Sequence, residues 1–268
     1  MAAIRTIFAL VLVIAAALPA SAQTLADINR LSGLDVALGA VNGSFAETID
    51  QIPGEKPEQF VDAWKAASAD AFAGPKMLAA IEARMEGKLS AGQLAELHTF
   101  YSSDFGRKMS AVEVAAVSQD EEIATQGAEL FAQLPQKDPE RLALYQRIID
   151  GLDSYTVGES MSLNVGYGIV SGMMAAAKQP ATNDEIKAIL DQGRADMRRE
   201  IEEQINFSTA WTYRNVSLDD LKTYAAFLET PAAKAYYGGM ITAMDAAFAQ
   251  EAKEFGNRLF EALGMKKA

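Results

Sequence analysis

His98 and Ser102 stand four residues apart, a spacing that lets an imidazole meet a hydroxyl on one helix face. A nucleophilic serine also needs a group that orients the base and a sharp turn that exposes its oxygen. A serine borne on a helix lacks that turn, so the pair reads as a partly exposed helix histidine beside a polar neighbour. His98 is the only histidine and there is no cysteine. That excludes multi-histidine and thiolate metal sites, thiol catalysis and disulfides. Carboxylates are plentiful but scattered. The run Asp120-Glu121-Glu122 falls mid-helix and reads as a solvated face, and Asp219-Asp220 follows Ser217 as the acidic first turn of a capped helix. Neither has calcium-loop spacing. Carboxylates that cleave a sugar polymer must face each other across a cleft, and linear order does not locate such a pair.

One stretch of the chain occurs twice. Leu89–Met109, LSAGQLAELHTFYSSDFGRKM, aligns without a gap to Val216–Tyr236, VSLDDLKTYAAFLETPAAKAY. Ser90 and Ser217 are N-caps, each with a side chain three residues on (Gln93, Asp220) that can complete a capping box. Leu89 with Leu94, and Val216 with Leu221, have the spacing of a hydrophobic staple. Ser103 and Thr230 are N-caps for a second helix, and Pro231 suits its first position. Each stretch therefore predicts a helix, a corner and another helix. Phe100 and Phe227 plug the corner, with Tyr101 on the buried face of its helix. Gly106 and Ala233 are small enough for close passage. Arg107 and Lys234 read as exposed bases paired with neighbouring acids, in preference to an anion contact at a helix start.

The pattern Phe100-Tyr101-x-Ser103-x-x-Gly106-Arg107 after a Ser-capped amphipathic helix resembles the bacterial domain-of-unknown-function-2059 family of secreted helical proteins. The resemblance covers about twenty residues per copy. The second copy departs from it, with Leu228 for the tyrosine, Thr230-Pro231 for Ser-Asp and Ala233 for the glycine. It implies an all-helical periplasmic domain and supplies no activity and no catalytic residues.

Residues 1–22 have the layout of an export signal. Arg5 is the charged end, Ile7–Leu18 the apolar run and Ala20-Ser21-Ala22 the cleavage pattern. The expected location is the bacterial periplasm. The chain of 268 residues is half hydrophobic and carries a formal charge of −12, which disfavours nucleic acid and anionic headgroups. No cofactor is expected.

The remaining helices must position whatever site exists. Apolar spacing predicts helices over Pro57–Ala73, from Pro75 to a left-handed cap at Gly87, over Asp104–Leu134 as one long helix ended by Pro135, and over Pro231–Leu263. Asn42-Gly43-Ser44 predicts a break or kink. Glu185–Asn206 reads as a charged helix whose solvated face carries the pairs Arg198–Glu202 and Arg199–Glu203. The apolar, glycine-bearing stretch Met161–Ala177 reads as a buried helix, with a ligand-facing or lipid-facing wall as the alternative. It is too short and too polar to span a bilayer.

A second resemblance, Ala26–Asp35 to Tyr145–Asp153 through a shared Gly-Leu-Asp, extends the repeat towards the N-terminus. The expected fold is all-α: two related helical-bundle units, 23–136 and 137–268, from an internal duplication, each ending in a long helix, of which the terminal one bridges both units or a second protomer. The expected function is a non-enzymatic binding or interaction module for a hydrophobic ligand or a protein partner. Trp64, Met161, Met173, Trp211 and Tyr236 are the candidate lining of its groove, and a homodimer is compatible with this reading. The competing expectation is a hydrolase or lyase that acts on a cell-envelope polymer through carboxylates.

Overall fold

A computed structural model of the chain describes residues 24–51, 55–117, 119, 122–176 and 182–262. Every regular element among them is helical: α1 (Leu25–Ser32), α2 (Leu34–Gln51), α3 (Glu58–Ala71), α4 (Gly74–Met85), α5 (Ala91–Ser102), α6 (Asp104–Ala116), a π-helical turn (Ile123–Gly127) running into α7 (Ala128–Lys137), α8 (Pro139–Gly151), α9 (Ser154–Ala176), α10 (Asn183–Thr212), α11 (Leu218–Leu228) and α12 (Pro231–Ala262). The protein is all-α. None of these helices is long and apolar enough to cross a membrane. Residues 1–22, Asp120 and Glu121 lie outside the described residues, as do Gly264 and the lysines after it.

The local signals explain where most helices begin. Ser90 closes a full capping box: Gln93 N donates to Ser90 Oγ at 3.3 Å, and Ser90 N donates to Gln93 Oε1 at 2.9 Å. At the second corner Asp220 N donates to Ser217 Oγ at 3.1 Å, but the Asp220 carboxylate turns to Lys108 of α6 at 2.7 Å, so that box is half made. Ser103 Oγ accepts from Gly106 N at 2.9 Å, and Thr230 Oγ1 accepts from Ala233 N at 3.2 Å. Both Gly-Leu-Asp triplets fall at helix junctions. Gly33 (φ +80°) separates α1 from α2, and Asp153 (φ +48°) lies between α8 and α9.

Four expectations change. Asn42-Gly43-Ser44 lies inside α2, which continues through it while packing on α3 and α4; tertiary contact outweighs the roughly 1 kcal/mol that a helical glycine costs. The expected helix over Asp104–Leu134 ends at Ala116 and resumes at the π turn. Pro135 sits inside α7, close enough to its end that one further turn completes, and Asp138 N donates to Leu134 O at 2.9 Å. In α10 the arginines leave their expected partners. Arg194 and Arg198 reach Glu159 of α9 at 2.7 and 3.2 Å, and Arg199 pairs with Asp196 at 2.6 Å.

Long helix α12 crosses both halves of the chain. It packs against α3, α4 and α5 from the first half and against α9 and α11 from the second. In the other direction α6, the π turn and α7 pack on α10. The helix that follows each corner thus covers the opposite half, and one apolar core runs from Ile28 to Leu259. Its densest knot is aromatic: Trp64 lies edge-on to Phe255 at 4.8 Å, and Phe45 contacts Phe72 at 4.3 Å. Of the Met161–Ala177 stretch, residues 161–176 form the middle and end of α9, inserted between α10 and α12, and Ala177 lies outside the described residues.

Candidate functional site

The helices after the two corners meet at a cavity of about 530 Å³, partly open to solvent. Extending the corner alignment pairs Glu113 with Met240, Val114 with Ile241 and Val117 with Met244, and all six residues line this space. Ile148 and Ile149 of α8, Leu152 just after it, Leu34 of α2 and Ile205 of α10 add apolar wall. The hydroxyls of Ser32, Ser154, Ser208, Thr209 and Thr212 interrupt it. Glu113 is the single carboxylate of the lining, which contains no base.

Glu113 sits among phenols. Tyr213, at the end of α10, and Tyr224, from α11, each donate to the same oxygen, Oε1, at 2.6 Å. Oε2 has no hydrogen-bond partner among the described residues, and Glu113 takes part in none of their ion pairs. Glu113 retains some accessible surface because it lines the cavity, yet its carboxyl is deep enough that desolvation raises its pKa against the two phenol hydrogen bonds. Burial likewise raises Tyr213 and Tyr224 well above the ordinary phenol value, and the neighbouring Glu113 charge adds to it. Tyr237 shares a hydrogen bond with Tyr101 and is raised by the same causes. Tyr236 is pushed up to about 12 by burial and donates to Asn29 Oδ1 at 2.9 Å, while Asn29 donates to Glu82 at 3.0 Å. Arg141 of α8 holds the backbone that links α10 to α11. Its guanidinium donates to the carbonyls of Val216 at 2.9 Å and Tyr213 at 3.3 Å.

Of the five residues expected to line one groove, Tyr236 lines this cavity. Trp64 is fully buried in the aromatic knot, and its ring N–H finds no acceptor there. Met161 is partly buried against the core. Trp211 donates to Gln119 Oε1 at 2.8 Å beneath the Arg214 guanidinium, which lies 3.5 Å above its ring. The side chain of Met173 lies outside the described residues.

The corner residues act together. Phe100 stacks on Phe227, and Tyr101 bonds Tyr237 beside the cavity. Gly106 passes so close to the Phe100 carbonyl that a Cβ would lie 2.0 Å from it. Arg107 pairs with Asp104 at 3.1 Å. Lys234 is exposed, and with Arg147 it helps hold the Glu229 carboxyl below its ordinary pKa, the Arg147 hydrogen bond being the larger cause. Ser102 donates to the Thr99 carbonyl, not to His98. Among the described residues no group of three or more His, Asp or Glu side chains could hold a metal ion.

Glu113 escaped the sequence reading although it left a trace. It is the one acid on the stripe that carries Met109, Val112 and Ala116, where a solvated charge is out of place. Tyr213 and Tyr224 carry no such trace, because in a sequence a phenol that closes a hydrogen bond and one that only packs read alike. Comparison with protein-family models, with curated proteins and with solved structures finds no match for this chain.

Proposed function

We propose that the protein is an exported, periplasmic, non-enzymatic binding module that holds a small apolar molecule between the helices following its two corners. The observation that carries this reading is the cavity itself. At about 530 Å³ it falls within the roughly 300–1,000 Å³ range of small-molecule pockets. Its wall is mostly aliphatic, with a few hydroxyls and one carboxyl, Glu113, among it. The layout of residues 1–22 and the corner's resemblance to the 2059 family support export to the periplasm.

Internal duplication accounts for the plan of the site. Equivalent residues of two diverged copies would meet near a pseudo-twofold axis, and the space beside that axis would be lined in matched pairs; the stack of Phe100 on Phe227 supports this reading. The position that aligns with Glu113 is Met240, so this matched pair supplies one carboxylate and not two. A hydrolase with paired carboxylates draws less support, because the lining supplies one acid and no second one to face it.

Native mass spectrometry of the protein gently purified from a bacterial periplasm tests the binding reading. A discrete adduct of small-molecule size is expected on the wild type and is lost in Ile241→Trp, which fills the space from α12. A wild-type protein that always flies bare removes the support for a ligand carrier.

A further inference from the structure

We infer that the cavity selects an amphipathic amine: an apolar body with a protonated ammonium end seated on Glu113. The inference rests on the binding reading above and deepens it. Both phenol donors converge on Oε1, so Tyr213 and Tyr224 fix the carboxyl of this cavity-lining residue and leave Oε2 without a partner among the described residues. The tyrosines around it, Tyr101, Tyr213, Tyr224, Tyr236 and Tyr237, are neutral phenols, and no base lines the space. Glu113 is therefore the one carboxyl that an occupant meets among the described residues.

A charge held in an apolar wall is costly unless it is paired and hydrogen-bonded. An ammonium supplies both the opposite charge and the missing donor. A hydroxyl end supplies the donor alone, and a carboxylate or phosphate end would set like charges together. The serine and threonine hydroxyls of the wall can donate or accept, so they do not discriminate among these. The overall charge of −12 also favours the approach of a cation over an anion.

Three probes of equal chain length separate the cases: n-octylamine, 1-octanol and octanoate, titrated calorimetrically into the full-length exported protein at neutral pH. Octylamine is expected to bind about tenfold or more tightly than octanol, with octanoate weakest. Glu113→Gln keeps an oxygen for the two phenols and removes the charge. It is expected to abolish the preference, read as the ratio of the octylamine and octanol affinities falling from about tenfold to about one. Octanol binding by the variant also shows that its cavity is intact. Equal affinity for octylamine and octanol in the wild type overturns the amine assignment and leaves the apolar-carrier reading standing. So does an amine preference that survives Glu113→Gln. Failure of all three probes to bind overturns both.

Discussion

Phe100 and Phe227 stack with ring centroids 3.4 Å apart and planes 2° from parallel. At that separation the rings have almost no lateral offset, an arrangement that aromatic quadrupoles disfavour relative to offset or edge-on contact. The two corners impose it, each presenting its phenylalanine from the last turn of the helix that leads into the corner. A double-mutant cycle with Phe100→Leu and Phe227→Leu should therefore give a coupling near the bottom of the usual aromatic range, about 0.5 kcal/mol by urea unfolding. A coupling well above about 1.5 kcal/mol would show that the stack itself, and not the corner geometry, holds the halves together.

Gly106 and Gly193 should respond to alanine with opposite signs. A Cβ at Gly106 would lie 2.0 Å from the Phe100 carbonyl, which is backbone and fixed by the corner, whereas a Cβ at Gly193 in α10 meets nothing within 4 Å. Gly106→Ala is expected to cost at least the roughly 1–3 kcal/mol of an overpacked site. Gly193→Ala should gain up to about 1 kcal/mol from helix propensity. Thermal unfolding of both variants checks this, and a neutral Gly106→Ala would refute the close passage.

Lys76 of α4 is ion-paired with Glu251 of α12, whose side chain is 6% exposed. Removing the lysine strands a buried carboxylate. Because Lys76 itself is 39% exposed, water screens part of the loss. Lys76→Met should cost about 1–3 kcal/mol, less than the roughly 3–5 kcal/mol of a wholly buried pair. Lys76→Met with Glu251→Met should recover most of it. A double variant no better than the single one would contradict this account.

The cavity groups make stability depend on pH in a defined direction. Desolvation raises the pKa of Glu113, so over the interval above the ordinary carboxyl value of about 4.3 the folded state holds a proton that the unfolded chain has lost. Stability from this group is complete below that interval and falls as pH rises through it. The Tm advantage of Glu113→Gln over wild type should accordingly grow between about pH 4 and pH 7. A difference that stays constant over that span would mean the carboxyl is not desolvated. The phenols act in the same sense at high pH. Tyr101, Tyr213, Tyr224, Tyr236 and Tyr237 keep their protons in the folded state past the usual value near 10, so alkali should ionise them only as the protein unfolds.

The sequence by itself determined the helical class, the two corners and most helix starts. Caps, staples and a period near 3.6 are signals between residues at most a turn or two apart, and Ser90, Ser103, Ser217 and Thr230 act where those signals put them. It also matched Phe100 with Phe227, although nothing in the linear order says that matched residues touch. Tertiary structure alone decided that they do, that each post-corner helix covers the opposite half, and that Glu113 faces two tyrosines from α10 and α11. The same distinction accounts for Trp64 and Tyr236. Both read as large apolar groups fit for a groove, yet one lies in a sealed aromatic knot and the other beside a cavity. Local free energies set which residues share a helix face. Which faces then meet, and where they leave space unfilled, depends on close packing among residues more than a hundred positions apart.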